Sequence, residues 1–255
     1  MREILGWRRG LRFRRKRRTE RGTAVAPLEA ALRCATVWDW PVLPGAGLRA
    51  VVAPKAKGAK GAKGDAGARA RRAAPAAPAS AACACPDPRC VVPGAHPFDP
   101  GLLAATTDAR MIRWWWSARP DAPVLLATGG RAPCAVSLPA VAGARALAAL
   151  DALGMRLGPV VATPTRWAIL VAPYSLERLG ELLYTKDSVP ASLRFHGEGG
   201  YLPLPPSVIG SGQVRWERAP LEGSARPWLP DVEAVVDALV EASTSTPGGG
   251  SRLAY

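Results

Sequence analysis

Four side chains within fourteen residues offer the densest coordination chemistry in the chain: Cys83, Cys85, Cys90 and His96, in CACPDPRCVVPGAHP. Thiolates and an imidazole so placed can wrap a tetrahedral Zn²⁺, and a structural zinc would order a loop too rich in Pro and Gly to have a core of its own. The spacing C-x-C-x4-C-x5-H starts tighter than the C-x2-C of common fingers. The same residues therefore also read as three reduced thiols and a capping His. A second place for chemistry lies at the end of Val124 to Pro139, VLLATGGRAPCAVSLP, where two strand-like apolar runs flank a Thr-Gly-Gly-Arg turn. A strand end facing a cleft is where α/β-type domains usually hold a ligand. Here it carries Ser137, Leu138 and Pro139, which are a hydroxyl, an apolar chain and a ring, with no carboxylate.

The formal charge of +14 over 255 residues is unevenly placed. Residues 1–22 hold ten Lys/Arg against two acids, among them Arg14, Arg15, Lys16, Arg17 and Arg18 of RFRRKRR. Residues 49–72 hold eight against one, and the remainder is close to neutral. Basicity therefore belongs to two appendages and not to a globular face. The first, residues 1–23, reads as a disordered basic arm. It is either a solvated tail or a binder of phosphate backbones by counterion release, which gives salt-dependent, non-specific affinity. The second, within 49–80, repeats AKG and runs into RRAAPAAPASAA. It reads as a flexible insert and a stiffer Ala/Pro spacer that add no fold. Residues 243–255 read as a disordered tail. The basic start precedes no apolar run of signal-peptide length, and no stretch approaches a membrane span. An odd number of Cys, five, argues against a disulfide scaffold. The expected setting is cytoplasmic, without a membrane partner.

The elements that must position these residues follow from hydrophobic period and punctuation. Pro27 to Trp40 predicts a helix with Leu28, Ala31, Leu32 and Ala35 on one face. Thr107 to Ala118 predicts another, capped by Asp108, with two of Trp114, Trp115 and Trp116 buried. In Ala140 to Leu153, Ala144, Leu147, Leu150 and Leu153 form the expected apolar stripe, with Gly154 past its end. Gly158 to Thr163 and Arg166 to Ala172 predict strands around a Pro-Thr turn, and Ser175 a cap for the helix Leu176 to Tyr184. Leu193 to His196 and Tyr201 to Leu204 read as a hairpin across Gly197-Glu198-Gly199-Gly200. A strand at Val214 to Trp216 and a last helix after Asp231 complete an α+β order. The expected architecture is an antiparallel-rich mixed sheet with helices largely on one face.

Several pieces together resemble the N-terminal catalytic domain of bifunctional DNA primase/polymerases, of the archaeo-eukaryotic primase superfamily. They are Pro93-Gly94-Ala95-His96-Pro97, Trp114-Trp115, the run Pro120 to Gly129, and LRFHGEGGYLPLPPS at 193–207. The resemblance spans roughly residues 27–240 without the insert, and sets a domain at 24–242. It implies an RNA-recognition-motif-like sheet with flanking helices. It also implies template-directed nucleotide transfer by metal ions held on an acid pair and a third acid, with a catalytic His. This chain departs at each place. Ser137-Leu138-Pro139 stands for the acid pair, Trp167 falls near the expected His, and Arg194 stands for the third acid. Two-metal phosphoryl transfer needs carboxylates to hold the ions. The expectation is a catalytically silent relative, without catalytic Mg²⁺ or Mn²⁺, that binds nucleic acid or nucleotide. Arg194, with His196 beside it, would hold a phosphate where a metal stood. The alternatives are an active primase/polymerase or nucleotidyltransferase with relocated ligands, and a scaffold module for a protein partner of unknown identity.

Overall fold

The computed structural model describes residues 16–50 and 81–244. Arg14, Arg15, residues 51–80 and the tail from residue 245 lie outside the described residues. Helix α1 spans Lys16–Thr36 and contains Pro27. It starts eleven residues before the predicted Pro27 boundary, so residues 16–23 of the expected arm have helical backbone. Its Ala31 and Ala35 are buried, and Leu28 and Leu32 pack against the same cluster.

Strand β1 (Val42–Pro44) follows α1, then β2 (Leu48–Ala50), which pairs antiparallel with β3 (Ala81–Cys83). Residues 50 and 81 are register partners. The chain thus leaves β2 and re-enters β3 at neighbouring strand ends. Helix α2 (Ala109–Ala118) is capped by the Asp108 carboxylate, which accepts from the Arg110 and Met111 backbone N–H. Trp115 and Trp116 are buried while Trp114 is 66% exposed, as three consecutive helical positions require.

The remaining order is β4 (Val124–Thr128), β5 (Cys134–Pro139), α3 (Ala140–Ala152), β6 (Val160–Ala162), β7 (Arg166–Val171), α4 (Leu176–Tyr184) and β8 (Arg194–His196). Then come β9 (Gly200–Leu204), β10 (Val208–Ile209), β11 (Gly212–Gln213), β12 (Arg215–Arg218) and α5 (Val232–Thr244). The architecture is α+β with antiparallel sheets. The strands form two principal sheets, β1-β4-β9 and β12-β6-β7-β5-β8, plus the ribbons β2-β3 and β10-β11.

Two expectations fail here. The predicted hairpin does not form, because β8 pairs with β5 while β9 pairs with β4 in the other sheet. The Gly-rich connection carries the chain from one sheet to the other. The stripe on α3 is also rotated: Ala142, Gly143, Ala146 and Leu150 are buried, and Leu153 is 73% exposed. Small residues form the packing face because α3 lies close on β7. A Cβ at Gly143 would meet the Trp167 Cβ at 2.6 Å. Gly154 does adopt positive φ past the helix, at +65°, as a C′ glycine should.

The five-stranded sheet is buried on both faces. Cys134, Val136, Leu138, Val160, Ile169 and Val171 meet α3 and α5. Ala135, Val161, Ala168 and Leu170 join the cluster built on α1, α2 and the three-stranded sheet. Alternation along each strand therefore decides which residues turn towards the helices and which towards the space between the sheets.

Candidate functional site

The strand period puts the chemistry on one face. On β5, Cys134, Val136 and Leu138 point to the helices, so Ser137 points the other way with Ala135. Register sets Ser137 opposite Arg194 on β8 and Ala168 on β7, and Ala135 opposite His196. Ser137, Ala168, Arg194 and His196 line a cleft of about 700 Å³ between the sheets. Its walls include Arg166, Tyr201, Leu202 and the loop residues Val91 and Val92. Gly129 and Thr128 hold the Gly-rich rim. Thr128 Oγ1 donates to the Gly197 carbonyl at 2.6 Å. Gly129, at φ +92°, leaves no room for a Cβ, which would lie 2.4 Å from Glu198 Cα.

Ser137 is the hub. Its Oγ lies 2.9 Å from His196 Nε2, and accepts from Arg166 Nε at 3.3 Å and Nη2 at 3.2 Å. Arg166 Nη2 also donates to the carbonyls of Ser137 at 2.7 Å and Ser192 at 2.8 Å. With Arg166 donating to Oγ, the Ser137 hydroxyl proton points to His196 Nε2, which then acts as acceptor. The His196 ring is held by the Tyr201 backbone as well. Burial lowers the affinity of His196 for a proton, and the charges of Arg166 and Arg194 lower it further. Burial likewise brings Arg166 down to about 10, with help from the Arg194 charge. The imidazole is therefore biased to neutrality while the Arg166 guanidinium remains charged at neutral pH.

Among the described residues that line the cleft, Glu198 is the one carboxylate. Of the positions singled out in the sequence, Ser137, Arg194 and His196 come together here. Pro139 ends β5 and is the N-cap residue of α3. Trp167 faces α3, packed under Gly143. The β7 side chain that enters the cleft is its neighbour Arg166, which sequence reasoning missed. The signal was present, since alternation through Ile169 and Val171 on the helix side assigns Trp167 to that side and Arg166 to the other. Lys16, Arg17 and Arg18 lie on the first turn of α1.

The Cys/His loop forms the neighbouring wall. The ligand atoms of Cys83, Cys85, Cys90 and His96 lie within 4.8 Å of one another, so the four could hold a metal ion. That spread suits four ligands at about 2.0–2.3 Å from one tetrahedral centre. His96 Nδ1 is 2.8 Å from the Pro97 carbonyl, and Nε2 is 3.3 Å from Cys83 Sγ. Nδ1–H thus goes to the carbonyl and leaves Nε2 as the ligating atom. Burial by itself would raise the Cys83 thiol. The Gly94 N–H, Cys85 and His96 outweigh it and bring the thiol down to about 6. Burial, with Cys83 and Cys85 adding to it, pushes Cys90 up to about 11. Without a cation, Cys83 is thus favoured as a thiolate at neutral pH and Cys90 as a thiol; a bound cation would favour the thiolate of Cys90 as well. The loop is tied into the fold by Ala46 N–H to the His96 carbonyl at 2.9 Å and Gly210 N–H to the Pro93 carbonyl at 2.7 Å.

An α+β domain with a cationic cleft between two antiparallel sheets, walled by a Cys/His loop, is the class of protein so defined. The profile of one family, described as bifunctional DNA primase/polymerase, N-terminal, matches residues 31–232. The chain belongs to that family. No curated protein and no solved structure matches it. Pro205-Pro206-Ser207, part of the resemblance seen in sequence, has a structural use: Ser207 Oγ accepts the Val124 backbone N–H at 2.8 Å and so pins the start of β4. Among the described residues, no helix is long and apolar enough to cross a membrane.

Proposed function

We propose that this chain is a catalytically silent primase/polymerase domain that binds nucleic acid or nucleotide. The observation that carries the reading is the acid content of the cleft. Nucleotide transfer needs two divalent ions, each held by carboxylates, and among the described residues the cleft offers Glu198 alone, beside two arginines. Ser137 occupies the central position of the face, and Arg194 lies opposite it. The order β5-α3-β6-β7-α4-β8, folded into the sheet order β6-β7-β5-β8, supports the RNA-recognition-motif-like comparison. Affinity for nucleic acid comes chiefly from the basic segments at 1–22 and 49–72, with Arg194 and His196 facing the ligand in the cleft. It is sequence-independent and falls with salt. Free cysteines throughout the described fold suit a reducing, cytoplasmic setting. The Cys83, Cys85, Cys90 and His96 cluster takes a structural zinc in this reading, closed by four protein ligands with no open position for catalysis.

The deciding experiment is labelled-nucleotide incorporation on a primed template with Mg²⁺ or Mn²⁺. The expected result is no extension above a protein-free control. Robust product would reject the reading in favour of an active enzyme with relocated ligands.

A further inference from the structure

The cleft contains an unbalanced charge that the fold goes to some length to hold in place. Arg166 is half-buried, and its Nε and Nη2 are fixed by one hydroxyl and two carbonyls, all neutral acceptors. Nη1 takes no part in those bonds. Arg194 projects from β8 into the same cleft. Among the described residues, no ion pair includes Arg166 or Arg194, although other arginines pair with acids on the surface. Half-buried cations normally recruit a carboxylate, because removing charge from water costs free energy. Arg166, with the exposed Arg194 beside it, shares the cleft with Glu198 but pairs with no acid among the described residues, which leaves the two guanidiniums able to take an anionic ligand.

We propose that this cleft holds the terminal phosphate of a nucleotide or of a nucleic-acid end without a divalent ion, between Arg166 and Arg194 and against His196. The inference rests on the function proposed for the chain, in which the cleft lacks the carboxylates to hold catalytic metal. It adds a second cation, Arg166, and a ligand class. Guanidinium donors match phosphate oxygens in shape as well as charge, and their charge persists where a metal would need acidic ligands. The depressed proton affinities of Arg166 and His196 agree: burial lowers each first, the neighbouring cations lower it further, and an entering anion would offset that second contribution. Ser137 acts here as a positioning residue, because it orients the Arg166 fork and shares its hydroxyl with His196. The volume, about 700 Å³, lies in the range of small-ligand sites. The Tyr201 and Val92 side of the wall offers apolar surface to whatever carries the phosphate.

The test measures binding of the full chain in EDTA to three probes: a deoxynucleoside triphosphate, a short single strand with a 5′-phosphate, and the same strand with a 5′-hydroxyl. Inorganic tripolyphosphate serves as competitor. Binding should survive EDTA, be displaced by tripolyphosphate, and weaken about tenfold or more in Arg194→Ala, the effect expected of removing one charge-assisted hydrogen bond. Arg194 is exposed on its strand, so this variant folds; Arg166→Lys, which keeps charge but removes the fork, is the second variant and should weaken binding as well. Preference for the triphosphate identifies a free nucleotide, and preference for the 5′-phosphate over the 5′-hydroxyl identifies a nucleic-acid end. Binding that requires Mg²⁺, or a Kd unchanged in Arg194→Ala, overturns the proposal. Circular single-stranded DNA, which has no ends, reports separately on the basic segments, and nucleotide incorporation reports on silence. Failure of either of those readings is thus distinguishable from failure of the phosphate site.

Discussion

His196 sits where three influences meet: the Ser137 hydroxyl, a partly dry environment, and two guanidiniums. Its proton affinity is lowered first by burial, then by Arg166 and Arg194. A group whose folded pKa is depressed binds fewer protons folded than unfolded. Its contribution to stability is intact above the unfolded value near 6.5 and is lost as pH falls through the folded value. Urea unfolding midpoints should therefore drop between pH 7.5 and 5.5 in the native chain. In His196→Asn, which keeps a hydrogen-bonding group but cannot titrate, that drop should be shallower. Equal slopes in the two proteins would show that His196 does not titrate abnormally. Little of this was legible beforehand. Ser137, Arg194 and His196 were singled out from the sequence, because motif order fixes their strands. Arg166 was not, since its neighbour Trp167 drew the alignment while the strand period assigned the cleft to Arg166.

Among the elements, helices and caps were the easiest to read. Asp108 and Ser175 both accept backbone N–H groups at the helix starts where sequence placed them, because a capping side chain acts only on its own first turn. Strand partners were harder. Leu193 to His196 and Tyr201 to Leu204 have the same alternation whether they face each other or different sheets, so nothing local distinguishes a hairpin from a crossing. The Cys/His loop belongs to the same scale, being an element with almost no core. Cys83 and Cys85 are buried, but Val91 is 91% exposed and the segment has turns in place of regular structure. Besides the backbone ties at His96 and Pro93, a bound ion joining its four ligands would cross-link it. Freshly purified protein should therefore carry about one zinc per chain by elemental analysis. Cys83→Ser should lose it and lower the thermal midpoint, and a strong chelator should do the same to the native chain. Protein without metal, or a Cys83→Ser variant of unchanged metal content, would leave the cluster as reduced thiols. Val91, Val92, Pro93 and Ala95 also line the cleft, so loss of metal should weaken phosphate binding in parallel.

Over the whole sequence, charge is unevenly placed. The segments at 1–22 and 49–72 hold nearly all the excess positive charge, and the body they flank is close to neutral. A neutral body with a two-arginine cleft can select a ligand, but it cannot supply much long-range attraction, which falls off over about 8–10 Å at physiological salt. The basic segments can, since each phosphate they neutralise releases condensed counterions. Composition made this division readable, because Ala, Gly and Lys repeats have no large apolar side chains with which to join a core. The two functions should then come apart in experiment. Deleting residues 1–22 removes ten Lys/Arg and two acids. Affinity for end-free DNA should fall, and the slope of log K against log salt should become shallower by about 0.7–0.9 for every phosphate the shortened chain no longer neutralises. Tripolyphosphate binding in the cleft should stay within about twofold, because the residues proposed to hold the phosphate, Arg166, Arg194 and His196, lie outside the deleted segment. If the truncated chain binds end-free DNA at low salt as tightly as the full chain, with the same slope, the arm is only a solvated tail. Attraction would then have to come from residues 49–72 or from the cleft itself.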